Sequence, residues 1–432
     1  MLQRAVSDIA DTMIEAFAML RNPLDADELV ARARNRTGLV DFGCSSFEEP
    51  LKNLLLACRE EADLSLFGRF ATRWDAMRFL SNLLRLRDEE RREPEILEQR
   101  IEQPIFIAGL PRSGTTFLHS LLAQDHTNLV PRVWQLIHPY PLDEPGTRPD
   151  PRPRRVARQL RMFGMLAPQF RRMHPIDANS PQECSEITAH VFASLRFDTT
   201  YHIPRYRRWL DETGHLDAYR FHKRFLQHLQ HQAPSAGQWV LKCPDHIFAL
   251  AALRAVYPDA CVVFVHRDPL AVLPSVARLT EVLRRPFTRH VDKVEIGQQD
   301  SDRWLAATEI MIETADEERF TNPILHIHYL NLVGDPLGTV EGLYRHFGRV
   351  LGPGTSARIG RLVEAKPNGG YRRHRSHLEE YGLDPAFERE RYARYMQRFA
   401  IRPEREARPS RSPKGSVAPG SGQSSKAAVK IT

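Results

Sequence analysis

Between residues 47 and 93 the chain repeats apolar positions three and four apart. In FEEPLKNLLLACREEA and RWDAMRFLSNLLRLRDEERRE, Leu, Phe and Met recur on one face with Glu, Arg and Asp between them, the pattern of amphipathic helices. Residues 1 to about 100 therefore read as a helical N-terminal region. The pattern then changes. QPIFIAGL is a short continuous apolar run, followed by TTFLHSLLAQD, which places Phe117, Leu118, Leu121 and Leu122 on one helical face. Strand, Gly-containing turn and helix is the opening unit of an α/β fold. Three further runs, QWVLK at 238–242, ACVVFVH at 260–266 and PILHIHYL at 323–330, have strand character and are separated by helical patterns. Runs apolar on both faces belong in parallel sheets. The expected fold is α/β, a doubly wound parallel sheet with a helical N-terminal region and helical insertions.

Two stretches stand outside that pattern. RPRRVARQLRMFGMLAPQFRRMHP, residues 152–175, spaces Val156, Leu160, Phe163, Ala167 and Phe170 among arginines. It reads first as a solvated helix face inserted in the domain, and second as a basic cover over an anionic ligand or a membrane surface. From residue 403, PEREARPSRSPKGSVAPGSGQSSKAAVKIT is Pro, Gly, Ser and charge with almost no core-forming residues, which reads as a disordered tail over 403–432.

Composition narrows the partners. A net charge of +7 with 27% charged residues suits an anionic ligand and is too weak to argue for nucleic acid. Five cysteines, an odd number without metal-ligand spacing, read as reduced thiols. The N-terminal stretch has acidic residues through its apolar positions, and no run reaches the roughly 18 apolar residues of a membrane helix. A cytoplasmic location without a transmembrane segment is expected. Only eight of the 61 basic residues are lysine. A lysine at a strand end, such as Lys242, therefore stands out.

The turn after the first strand, GLPRSGTT, can be set against the nucleoside triphosphate loop pattern G-x-x-x-x-G-K-[ST]. Gly109 and Gly114 keep the spacing and Thr116 keeps the hydroxyl, but Thr115 replaces the lysine. Arg112 is the replacement cation. Backbone N–H groups from Ser113 to Thr116, at the start of the next helix, still surround an anion. The expected magnesium carboxylate at the end of a second strand is Asp268, yet Arg267 precedes it and suits a second phosphate instead.

These features carry a resemblance. PIFIAGLPRSGTT resembles the 5′-phosphosulfate loop of sulfotransferases that use 3′-phosphoadenosine 5′-phosphosulfate (PAPS). FVHRDPLAVLPSVARL resembles their second signature, in which an Arg and a Ser eight residues later, here Arg267 and Ser275, bind the 3′-phosphate. The two signatures are about 155 residues apart and are more specific together than singly. WVLKCPDHIF is similar to the strand end whose lysine, here Lys242, faces the sulfuryl group. HIHYLNLVGDPLGTVEGLYRHFG is similar to the segment near the adenine, with Tyr329 in the matching place. PNGGYRRHRSHLEEYGLD is similar to the basic segment that closes over the nucleotide in the bacterial branch, which makes Arg373 and His374 cofactor-binding candidates. The resemblance covers roughly residues 30–401 and implies a P-loop-like fold, with residues 101–402 as the sulfotransferase α/β domain and a helical insert at about 130–235.

What the resemblance implies chemically is PAPS as co-substrate, no metal, and transfer of a sulfuryl group by in-line displacement to a hydroxyl or amine. Arg112, Lys242 and the amides of Ser113, Gly114, Thr115 and Thr116 would meet charge growing on the leaving phosphate oxygen. A general base must accept the acceptor's proton. Gln135 stands near one family position for it and is no base. Glu183 is the first candidate, His246 the second and His174 a distant third. The acceptor is a small molecule, with MFGMLAPQF hinting at apolar walls suited to a lipophilic one. Lipid, polyketide, sugar and phenol stay open, as does oligomeric state. Two other readings remain: an ATP-dependent P-loop phosphotransferase and a non-catalytic nucleotide-binding protein.

Overall fold

The computed structural model of the chain describes residues 24–43, 45–142, 150–166, 177–233, 237–315, 321–365 and 376–404. At its centre is a parallel sheet of five strands: β1 (Ile105–Gly109), β2 (Asn128–Leu129), β3 (Gln238–Lys242), β4 (Cys261–His266) and β5 (Leu325–His328). Their order is β2-β3-β1-β4-β5. The register sets Ile107 beside both Lys242 and Val263, and Gly109 beside Val265. The four expected strands are all present. β2, two residues long and paired to Gln238 and Trp239, has no counterpart in the sequence reading.

β1 and β4 are buried along their whole length, and the alternation of side chains divides them between two cores. Phe106, Ala108, Leu241 and Phe264 join the N-terminal helices, represented by Leu29, Leu51, Leu55 and Leu80, in one continuous cluster. Ile105, Ile107, Val240, Val263 and Val265 face the opposite way, onto Phe117, Leu118, Leu121, Val340 and Ile359. Helices therefore cover both faces, as expected for a doubly wound sheet. Full burial of a ring such as Phe106 contributes about 1.5–3 kcal/mol.

The N-terminal helices run over Ala26–Thr37, Glu48–Glu60 and Leu66–Arg92. Asp25 caps the first by accepting from the Glu28 N–H at 2.9 Å, and Gly38 ends it in the left-handed region at φ 71°. Ser65 caps the third by accepting from the Gly68 N–H at 3.0 Å. Between β2 and β3 lie helices at Val133–Ile137, Arg152–Leu166, Ser185–Thr188, Arg196–Thr200, Pro204–Thr213 and Leu216–His231. The basic stretch expected as a solvated face is anchored at its start. Arg152 is buried, holds Asp150 at 2.8 Å and Gln232 at 2.8 Å, and lies over the Trp134 ring.

The four described cysteines, Cys58, Cys184, Cys243 and Cys261, are free and buried. No helix among the described residues is long and apolar enough to cross a membrane. Residues 405–432 of the expected tail lie outside the described residues, whereas Pro403 and Glu404, which the sequence assigned to that tail, are part of the fold.

Candidate active site

The site lies at the carboxyl ends of β1, β3 and β4, where open α/β sheets bind ligands. β1 ends at Gly109, φ 145°, where a Cβ would meet the Val265 carbonyl at 2.4 Å. Only a residue without a side chain lets the turn leave the sheet there. Arg112 takes a left-handed conformation, φ 64°, a strained choice for a non-glycine residue that costs about 1–3 kcal/mol and concentrates at functional sites. Gly114 follows at φ 96°, with the Tyr329 ring 3.0 Å and the Leu332 side chain 3.2 Å from where a Cβ would stand.

The helix Thr115–Leu122 begins immediately after, and no side chain caps it. Its first N–H groups are left for another acceptor, and the helix dipole favours an anion there. Ser113 is fully buried, and its hydroxyl has no partner. An orphaned buried hydroxyl beside uncapped amides fits an anionic oxygen.

Arg112 Nε donates to Ser275 Oγ at 3.1 Å. Ser275 lies on the helix Pro269–Arg284, which Asp268 caps by accepting from the Leu270 N–H at 3.0 Å. Arg267, one residue before that cap, donates from Nη1 to the Arg112 carbonyl at 2.5 Å and stacks 3.9 Å over the Tyr329 ring. Its Nε and Nη2 donate to the two oxygens of Glu404 at 2.6 and 2.9 Å. Burial opposes the charge on Arg267, and the Glu404 carboxylate outweighs it and holds the guanidinium above its ordinary pKa. Arg112, Arg267, Ser275 and Tyr329 thus form one cluster. Tyr329 is not the strand residue the sequence suggested: β5 ends at His328, and Tyr329 opens the helix Tyr329–Gly334.

Lys242 ends β3 and is almost wholly buried, with its Nζ against Glu183 Oε1. Glu183 is reached from a separate part of the chain. The Gln182 N–H donates to the Pro131 carbonyl at 2.8 Å and the Cys184 N–H to the Lys242 carbonyl at 3.1 Å, which pins the segment to the end of β3. The Glu183 side chain keeps 34% exposure, enough to meet an acceptor. Gln135 plays a structural part, its Oε1 accepting from the Arg132 N–H at 2.9 Å.

His246 is set apart from that pair. The turn Pro244–Ala249 directs its ring into the core, edge-on to Phe106 at 4.9 Å and with Nδ1 against the Tyr219 hydroxyl. It is 1% exposed, and burial pushes its pKa well below the usual value. Its Nε2 has no hydrogen-bond partner among the described residues. His174, Arg373 and His374 lie outside the described residues.

Sequence reasoning missed two carboxylates. Asp245, in the same turn as His246, has its pKa pushed up to about 6 by burial, with Arg303 opposing and the Glu183 charge adding. Its signal was its place three residues after a strand-end lysine. Glu404 had none, because nothing local marks a residue that binds Arg267 from 137 positions away. Asp268 accepts from the N–H groups of Leu270 and Glu404.

A family model described as the sulfotransferase family matches residues 104–351. Among curated proteins, omega-hydroxy-beta-dihydromenaquinone-9 sulfotransferase Stf3 of Mycobacterium bovis, and its counterpart in Mycobacterium tuberculosis, are each 28% identical over 267 residues, 57% of this chain. The matched region spans 63% of the length of those relatives. Among solved structures, sulfotransferase STF9 from Mycobacterium avium superposes with a TM-score of 0.81 at 27% identity, covering 88% of this chain and 98% of that one. Sulfotransferase STF1 from Mycobacterium tuberculosis gives 0.74 at 30% identity, covering 85% and 98%.

Proposed function

The chain belongs to the sulfotransferase family, and from that premise we propose that it transfers a sulfuryl group from PAPS to a hydroxyl or amine of a small lipophilic acceptor. The observation that carries this reading is the joining of the two anion signatures: Arg112 touches Ser275, and Arg267 touches the Arg112 carbonyl. One ligand with phosphate at both places would engage both signatures at once.

The residues divide the work. The amides of Gly114 to Thr116, with the orphaned Ser113 hydroxyl, would hold the 5′-phosphosulfate, the Ser113 N–H being given to the Leu110 carbonyl at 3.2 Å. Arg267 and Ser275 would take the 3′-phosphate, and Tyr329, on which Arg267 stacks, would flank the nucleotide. Arg373 and His374 are proposed to add cations to the same ligand. In the transfer a bond forms between the acceptor oxygen and sulfur while the bond from sulfur to the bridging phosphate oxygen breaks. The electron pair goes to that oxygen, and Arg112 and Lys242 stand ready to meet its charge.

Glu183 would take the acceptor's proton. In the structure its carboxylate is tied to Lys242, so each neutralises the other until a ligand draws the ammonium toward the phosphosulfate. That exchange would free the base when the donor is in place.

The acceptor's chemistry is read from the relatives. The curated ones are named for omega-hydroxy-beta-dihydromenaquinone-9, and a hydroxyl on an apolar carrier suits a site flanked by the insert of about 130–235. On this reading residues 101–402 carry the transferase unit and the enzyme works in the cytoplasm. Calorimetry with 3′-phosphoadenosine 5′-phosphate (PAP) against ATP tests the donor: PAP should bind and ATP should not. Tight ATP binding without PAP binding would sink the proposal in favour of a phosphotransferase. Incubation of lipid extracts with labelled PAPS tests the acceptor, and label should appear in the lipid fraction.

A further inference from the structure

Arg267 has three of its N–H directions committed in the structure, one to the Arg112 carbonyl and two to the Glu404 carboxylate. The Glu404 contact is bidentate, the same planar geometry in which a guanidinium grips two phosphate oxygens. Both partners are largely shielded, with side-chain exposures of 18% and 22%. A phosphate therefore cannot take that edge of Arg267 while Glu404 holds it.

The carboxylate is delivered by a defined piece of chain. The helix Ala393–Arg398 docks through Tyr395, whose hydroxyl meets His266 Nδ1 at 3.0 Å, and through Phe399, which stacks on His266 at 4.2 Å. The chain then turns at Ala400, φ 48°, and Ile401 is the last buried residue among those described. Beyond it the attachments are polar: Arg402 to Asn331 at 3.4 Å, the Glu404 N–H to Asp268 at 2.7 Å, and the Glu404 carboxylate to Arg267. Residues 402–404 bury no apolar side chain of their own, so their release breaks chiefly a few polar contacts that water and ligand can remake.

We propose that Glu404 is an internal competitor for the phosphate-binding edge of Arg267, displaced when the nucleotide's 3′-phosphate arrives. With the site empty, Glu404 spares a half-buried guanidinium from standing unpaired. With the ligand bound, the carboxylate would be repelled by the phosphate and residues 402–404 would swing out from Ile401. Apparent affinity is thereby lowered by the fraction of molecules in which the latch is closed. This inference rests on the assignment of Arg267 to the 3′-phosphate.

Calorimetry on the full chain, wild type and Glu404→Gln, with PAP and with adenosine 5′-phosphate, separates the two ideas. PAP should bind about fivefold more tightly to Glu404→Gln, while adenosine 5′-phosphate, which has no 3′-phosphate, should bind both proteins equally. Hydrogen exchange of residues 399–404 in the wild type should quicken when PAP is added. Equal PAP affinity in both proteins, or exchange slowed by PAP, overturns the latch and leaves the donor assignment standing. PAP binding to neither protein overturns both.

Discussion

Arg112 and Ser275, 163 positions apart in the chain, are joined by a hydrogen bond of 3.1 Å. The loop after β1 and the helix after β4 are thereby set against each other before any ligand arrives. Ser275→Ala should remove a hydroxyl that orients Arg112 and that is proposed to receive phosphate. PAP affinity should fall about five- to tenfold, the effect of one hydrogen bond of ~1 kcal/mol or slightly more, with the melting temperature unchanged. Calorimetry and a thermal melt on the same sample check this.

The pairing of Lys242 with Glu183 separates binding from chemistry. Glu183→Gln should lower kcat about 100-fold or more and leave PAP affinity intact, because the amide still fills the position. Lys242→Ala should lower kcat too, through loss of charge stabilisation at the leaving oxygen. Turnover of Glu183→Gln at the wild-type rate would remove Glu183 as the base and turn attention to Asp245.

At Gly114 backbone and side-chain arguments agree. A methyl group there meets the Tyr329 ring at 3.0 Å and sits at φ 96°. Gly114→Ala should therefore weaken PAP binding about five- to a hundredfold through a loop distortion of about 1–3 kcal/mol, and tyrosine fluorescence should report the displaced ring.

Gly297 lies on the helix Lys293–Thr314, where a Cβ would stand 2.1 Å from the Tyr381 carbonyl. The segment after residue 376 docks on that helix, so Gly297→Ala should destabilise the fold by about 1–3 kcal/mol. Urea unfolding should give a lower midpoint.

Burial pushes the Asp300 carboxyl from 3.8 up to about 7, against the Thr280 hydroxyl and the Arg284 charge, which favour its ionised form. The folded chain therefore holds a proton that the unfolded chain has already lost between those values. Asp300 contributes fully below about pH 4, and its contribution is lost as pH rises to about 7. Asp300→Asn keeps an oxygen for Thr280, which donates to Asp300 at 2.9 Å in the wild type. It should melt higher than the wild type at pH 8 and lose this pH dependence, as thermal melts across pH 4–8 would record.

Much of this architecture was legible. β1 and β4 announced themselves because a strand buried on both faces has to be apolar throughout, and GLPRSGTT and HRDPLAVLPS named in order the loop and the helix that Arg112 and Ser275 join. What escaped depended on three dimensions. β2 is too short to have a pattern and exists because Gln238 and Trp239 offer it a partner. The long helix starts at Leu66, seven residues before the stretch that displayed its period, and includes Gly68. That glycine looks like a helix breaker and is required by packing, since a Cβ would stand 2.0 Å from the Phe287 carbonyl. His246 was named as second candidate base because the resemblance puts a histidine just beyond the lysine strand, and the burial of its ring against Phe106 and Tyr219 by the 3₁₀ turn after β3 was not visible in the sequence.

The strand order has a metric consequence. β3 and β4 are the two neighbours of β1, so Lys242 and Arg267 are carried on strands two spacings apart, ~10 Å at the usual separation. The sheet acts as a ruler with the loop at its midpoint. On the proposed assignment, inorganic sulfate or a simple 5′-nucleotide would satisfy one mark at a time, and a ligand with anionic groups at both marks would span the full length.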